Sequence, residues 1–332
     1  MRKALLLGIN DYQWGPLNGC ANDAIELGKV LTLNYDESSN FACKIIVHDK
    51  SNKHEEAANQ FQNFENKQIK KSTLRKEVEE LFGGECDMAL FFFSGHGHED
   101  SLGGSLVTSN ATRYDEGVSV SEVLTLANAA THIPEIFLVL DCCHAGHLGN
   151  IPVVDGNKAI LRKGISILTA SMASEVAREQ NGQGLFTKVL IEGLNGGAAD
   201  VAGRVTSASL YNFVDKALGA FDQRPVYKSH ITSLKSIRTA TPKLTETELR
   251  KIPVFFPNTE YLHQLDKAYE PKEEPRDEKK EAVFAILQKF TSASLVRPST
   301  KEHMYFEAVE GGSCQLTPLG KLYWKMVKNN RI

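Results

Sequence analysis

The sequence predicts an α/β three-layer sandwich, a mostly parallel central sheet covered by helices on both faces, followed by a small C-terminal module. Three observations carry this reading. Short, almost wholly apolar runs recur at 4–9, 41–47, 88–93, 136–140 and 165–170, the pattern of strands buried on both faces. Helical patterns lie between them: Ala24, Leu27 and Leu31 share one face, as do Leu74, Val78 and Leu81, while Ser119 with Glu122 reads as a capping box ahead of Val123, Leu124 and Leu126. Regular alternation of strand and helix places crossover helices over a parallel sheet.

The remaining elements follow in order. A helix is expected over 185–194, closed by Gly196 and Gly197, and another over 207–221, where Leu210, Val214 and Leu218 repeat at helical spacing. The main domain is therefore set at 1–238. The stretch 239–280 gathers Pro242, Pro253, Pro257, Pro271 and Pro275 and ends in a charged run, so it reads as a linker. Its apolar middle, 252–256 with Tyr261 and Leu262, predicts partial packing on the main domain. Over 281–332, Val283, Ile286, Leu287 and Phe290 mark one helix, and Thr317-Pro318 opens a second carrying Leu319, Leu322, Tyr323 and Met326. Alternation over 303–309 before Gly311-Gly312 suggests a hairpin between them, hence a winged-helix-like module.

Bulk properties exclude some functions. With 332 residues, 42% of them hydrophobic, the chain can bury a large core. A formal charge of −3 gives no reason to expect nucleic acid or an anionic membrane as partner. Six cysteines scattered along so long a chain, two of them adjacent, do not form a secreted disulfide framework, and the N-terminal apolar run is too short for a signal segment or a membrane span. A cytoplasmic location is the expectation.

Two polar clusters stand just past predicted strand ends: Ser94-Gly95-His96-Gly97 and Asp141-Cys142-Cys143-His144-Ala145-Gly146. Ligands of open parallel sheets bind beyond the carboxyl ends of strands, so adjacent strands would set His96 and Cys143 along one rim. A free thiol is only a few per cent thiolate at neutral pH, and a neighbouring imidazole can remove its proton and later return one to a leaving amine. Backbone N–H groups of Gly97 and Cys143 are the candidate oxyanion donors.

SGHG after one apolar strand and DxCHxG after the next resemble the caspase-like cysteine peptidases of clan CD, nearest the metacaspase, orthocaspase and paracaspase branch. His96 precedes Cys143 by close to the ~50 residues typical of that pairing. The likeness runs from the first strand, through Leu17-Asn18-Gly19-Cys20-Ala21-Asn22-Asp23, to Gln223-Arg224-Pro225. It implies a caspase-like fold, a Cys143/His96 dyad acting through a thioester acyl-enzyme, and, as in relatives that cut after arginine or lysine, a primary pocket lined by Cys20, Asp23, Ser94 and Asp141. Two carboxylates converging on one cavity repel each other, and an entering guanidinium or ammonium relieves that repulsion. The substrate is thus a protein or peptide with a basic residue before the scissile bond, and no cofactor is required. Such modular peptidases act in regulated cell death or defence.

Other readings compete. His98, His144 and His147 could join His96 and Cys143 around zinc, although without zinc-finger spacing. Asp100, Asp115 and Glu116 resemble the calcium-regulatory acids of metacaspases, but their spacing establishes no site. Asp23 also suits the first turn of a helix as a dipole partner. Cys142, where relatives carry a small residue, reads as a buried hydrophobe before a redox partner. Lys158, Arg162 and Lys163 mark the loop 149–164 as a place for self-processing. The C-terminal module, with Lys321, Lys325, Lys328 and Arg331 diluted by Glu302, Glu307 and Glu310, fits a protein partner better than nucleic acid. A scaffold with weak or absent proteolysis is the alternative to a peptidase.

Overall fold

The computed structural model describes residues 1–13, 15–51, 54–100, 103–113, 115–142, 160–170, 179–180, 182–219, 224–231 and 235–332, with the side chains of 99, 100, 179 and 180 set aside. The chain forms two compact units, Met1–Ala199 with Arg204–Ala240, and Asp200–Gly203 with Thr241–Ile332.

The first unit opens with β1 (Arg2–Ile9), α1 (Cys20–Thr32), β2 (Phe41–His48), α2 (Glu55–Gln60) and β3 (Phe64–Asn66). Helix α3 (Lys71–Gly83) leads to β4 (Met88–Ser94), then to the strands β5 (Gly97–Asp100), β6 (Gly103–Thr112) and β7 (Asp115–Ser119). Helix α4 (Val120–Ala129), β8 (Ile136–Asp141), β9 (Ile165–Thr169) and the hairpin β10 (Glu179–Gln180) and β11 (Gln183–Gly184) come next. The unit ends with α5 (Leu185–Glu192), β12 (Arg204–Thr206), α6 (Ser207–Leu218), β13 (Val226–His230) and β14 (Ser236–Thr239).

Seven strands form the central sheet in the order β13-β9-β8-β4-β1-β2-β3. All neighbours are parallel except β13, which runs antiparallel to β9. The continuous apolar runs are explained by burial on both faces, because alternate residues serve opposite cores. Leu6, Leu90, Phe92 and Val139 pack with Ala24, Leu27 and Leu31 of α1 and with Leu190, Leu210 and Val214 of α5 and α6. Leu5, Leu7, Phe91, Phe93 and Leu138 pack with Leu74 and Val78 of α3 and Val123 and Leu124 of α4. Each such side chain contributes roughly 1.5–3 kcal/mol by leaving water. The three layers are those the sequence predicts. At the start of α4, Ser119 Oγ accepts the Glu122 N–H, one half of the expected capping box.

The second unit contains α7 (Glu246–Leu249), α8 (Ile252–Phe255), β15 (His263–Gln264), α9 (Glu278–Ser292), β16 (Val296–Pro298), α10 (Met304–Val309), β17 (Ser313–Leu316) and α11 (Pro318–Lys328). Its strands form an antiparallel sheet in the order β15-β17-β16. Two expectations are corrected here. The stretch 239–280, expected as a linker partly packed on the main domain, instead supplies Leu244, Leu249, Ile252, Phe256 and Leu265 to the core built around Phe284, Leu287 and Phe290. Pro253 sits in the first turn of α8 and Pro257 follows its end, so these two bound a short packed element, while Pro271 and Pro275 are exposed ahead of α9. The hairpin expected over 303–309 is also absent: that stretch is α10, which buries Met304 and Ala308 one turn apart, and the flanking strands β16 and β17 pair with each other. Seven residues of alternation cannot separate a strand from a helix this short.

Candidate active site at the carboxyl edge of the sheet

Strand order reverses between β1 and β4, because the chain passes outward from β1 through β2 to β3 and then returns to the other side of β1. A crevice at the carboxyl ends of β1 and β4 follows from that reversal. Strands β4 and β8 are parallel neighbours with Ser94 paired to Asp141 on the last rung, and Gly95 N–H donates to Asp141 O at 3.2 Å. The two polar clusters therefore leave the sheet side by side. Cys143, two positions past Asp141, lies outside the described residues, as do His144, His147 and Lys158.

On the crevice side, α1 brings its first turn against the same rung. Asp23, Ser94 and Asp141 are 1%, 2% and 5% exposed. Ser94 Oγ donates to Asp23 Oδ2 at 3.0 Å, and Gly184 N–H donates to Asp23 Oδ1 at 2.9 Å. Thr187 Oγ1 donates to Asp141 Oδ2 at 2.6 Å. Gly184 stands between the carboxylates: a Cβ there would lie 2.6 Å from Asp141 Oδ2 and 2.9 Å from Asp23 Oδ2. Two buried acids thus flank one point, and only the absence of a side chain at 184 leaves room beside them. Asp23 also occupies the first turn of α1, so its dipole role and its place in the crevice coexist. Cys20 is buried on that turn.

His96 is held from its ring and from its backbone. Nε2 lies 2.5 Å from Gly15 O; a carbonyl only accepts, so Nε2 carries the proton in this arrangement and Nδ1 is the basic nitrogen. Val107 N–H donates to His96 O at 3.0 Å, which makes the next pair, Gly97 and Leu106, a non-hydrogen-bonded one. The Gly97 N–H consequently points away from β6. Cys142 is buried in the apolar cluster on the α3/α4 face.

A family model described as the caspase domain matches residues 1–235. The chain belongs to the caspase-domain family. It is accordingly a member of a cysteine peptidase family. No curated protein matches it. Among solved structures it is similar to a structural-genomics target from Geobacter sulfurreducens, at 15% identity, covering 72% of this chain and 99% of that one, with a TM-score of 0.49. It is also similar to caspase-1 from Spodoptera frugiperda, at 15% identity, 72% and 90% coverage, and a TM-score of 0.49.

Within this caspase domain, sequence reasoning missed Asn10, Tyr12, Gly15, Gly184 and Thr187. Asn10 follows β1 as directly as His96 follows β4, and Tyr12 and Gly15 lie in the loop it opens, so applying the strand-end rule to β1 would have nominated that loop. Asn10 organises their loop: Oδ1 accepts Ala21 N–H at 3.0 Å, and its own carbonyl accepts Leu17 N–H at 2.9 Å. Gly184 and Thr187 carry no such signal, since only the tertiary packing of β11 and α5 brings them to the acids. Of the residues considered for calcium, Asp115 pairs with Lys71 at 2.6 Å and Glu116 lies 4.0 Å from His98, while the side chain of Asp100 lies outside the described residues. Among the described residues no group of three His, Cys, Asp or Glu side chains is placed to hold a metal, and no helix is long and apolar enough to cross a membrane.

Proposed function

We propose that this caspase-domain protein is an endopeptidase that cuts after arginine or lysine. The observation that carries the specificity is the convergence of Asp23 and Asp141 on one buried point beside Gly184. Like charges at such a place favour a cation between them, and a planar guanidinium can bond both. In the proposed reaction His96 Nδ1 takes the proton of Cys143 as the sulfur attacks the scissile carbonyl, while the Nε2–H stays on Gly15 O. The N–H groups of Gly97 and Cys143 hold the oxyanion. Collapse expels the amine, which His96 protonates, and water then hydrolyses the thioester with the same imidazole as base. The scheme needs no metal or cofactor.

The second unit is read as a module for a protein partner. Tyr305 and Phe306, exposed and with ring centroids 5.3 Å apart, support that reading, because adjoining exposed apolar groups mark interaction sites where single ones do not.

Fluorogenic peptides that differ only before the scissile bond test the core of this proposal. Arginine and lysine peptides are expected to be cut faster than the aspartate peptide, on the order of a thousandfold or more in kcat/KM, since a third carboxylate would face two. Cys143→Ala and His96→Ala should abolish cleavage. Preference for aspartate would refute the pocket assignment, and undiminished activity in either variant would refute the dyad.

A further inference from the structure

We propose that Tyr12 is a positioning residue that sets the orientation of the His96 imidazole; this rests on the reading of His96 as the proton-transfer group. The rung that joins His96 to Val107 is asymmetric. Val107 N–H donates to His96 O at 3.0 Å in the ordinary way. On the return side a phenol is inserted: His96 N–H donates to Tyr12 Oη at 3.0 Å, and Tyr12 Oη donates to Val107 O at 3.3 Å. One hydroxyl therefore both accepts and donates, and it fixes the backbone from which the imidazole departs.

The tyrosine ring completes the restraint. Its centroid lies 4.6 Å from that of His96, with the planes tilted by 57°. This is a packed aromatic contact, which limits rotation of the imidazole. A Cβ at Gly95 would lie 2.4 Å from Tyr12 Oη, so glycine at that position is what admits the hydroxyl. Burial above all, and after it the neighbouring Cys20 thiol, pushes the Tyr12 phenol well above its ordinary range, so it remains a donor throughout the neutral range.

Tyr12 and Gly15 belong to the same loop, and that loop is itself anchored. Asn10 and Asp11 donate their N–H groups to His48 O at 2.9 and 3.2 Å, at the end of β2. The segment after β1 thus grips His96 twice, through its backbone by Tyr12 and through Nε2 by the Gly15 carbonyl. A histidine that must accept a proton from one atom and deliver it to another depends on both constraints. Misplacement by about 1 Å is enough to cost roughly a hundredfold in rate.

The test is Tyr12→Phe in the full-length chain, which keeps the ring and removes the hydroxyl. The expected result is a fall in kcat for the arginine peptide of roughly ten- to a hundredfold. KM should stay within about twofold, and the preference for arginine over aspartate should persist, since the pocket acids are untouched. In protein labelled with ¹⁵N-histidine, the Nε2–H resonance, assigned by its loss in His96→Ala, should broaden. Tyr227→Phe is the control: it removes a phenol bonded to Ser207 Oγ at 2.9 Å, and kcat should be unchanged. Wild-type kcat and an unaltered resonance in Tyr12→Phe would overturn the proposal. If that variant does not fold, Gly95→Ala displaces the same hydroxyl from the other side; the same broadening and loss of kcat support the proposal, and their absence overturns it. Activity surviving in His96→Ala would instead overturn the reading of His96, whatever Tyr12 does.

Discussion

A methyl group at position 184 would occupy the space beside both Asp23 and Asp141, and the backbone φ of −65° there is one that alanine adopts without strain. Gly184→Ala therefore adds no backbone strain, but its methyl group must displace the Asp23 and Asp141 carboxylates, and it should lower kcat/KM for arginine peptides by roughly a hundredfold or more. Alkylation of Cys143 by iodoacetamide should proceed at its original rate, because the thiol chemistry is untouched; arginine cleavage at the parental rate would remove Gly184 from the pocket. Asp141→Asn makes a complementary test, since the amide oxygen can still accept Thr187 Oγ1 while the charge is lost. Selectivity for arginine should fall with little change in melting temperature. Both outcomes belong to single residues, because each substitution acts at one point beside Asp23 and Asp141.

Among the elements, the end of α4 is held by one guanidinium. Arg162 Nε donates to Ala127 O at 3.1 Å, Nη2 to Ala130 O and Ile133 O at 2.7 and 2.9 Å, and Nη1 to Lys163 O at 2.7 Å, while its own N–H donates to Asn128 Oδ1 at 2.8 Å. A cation at a helix C-terminus meets both the dipole and the carbonyls that lack intrahelical partners. These bonds also bear on self-processing, for a side chain committed to α4 is not available to a primary pocket. Arg162→Lys loses the planar fork and should destabilise the unit by about 2 kcal/mol, a drop on the order of 5 °C in melting temperature. In Arg162→Gln, which leaves no basic residue at that position to be cut after, the pattern of self-cleavage fragments should not change; loss of a fragment in that variant would make Arg162 a processing site.

For the molecule as a whole, the two units are stabilised by different means. The first rests on a sheet with apolar residues on both faces, whereas the second adds to its apolar core a buried carboxylate wrapped in its own backbone. Glu307, 0% exposed, accepts the N–H groups of Thr300, Lys301 and Ser313. Burial alone would raise its pKa, but the three backbone donors outweigh it and hold the carboxyl below its usual value. A depressed folded-state pKa contributes stability that is present above the unfolded value of ~4.3 and is lost as pH falls through the folded value. Acid titration followed by Trp324 fluorescence in a Trp14→Phe background should show the second unit loosening in that window, and Glu307→Gln should remove that pH dependence. Persistence of the dependence in Glu307→Gln would assign it to another group. The local patterns of the chain determined by themselves the buried strands, the helices that alternate with them and the polar clusters containing Ser94, His96 and Asp141, because periodicity and strand ends are written in neighbouring residues. Only the tertiary structure decided that Tyr12 and Gly15 hold His96, that Gly184 and Thr187 join Asp23 and Asp141, and that 239–280 builds a second core. Those contacts join residues far apart along the chain, and no local pattern encodes which of them meet.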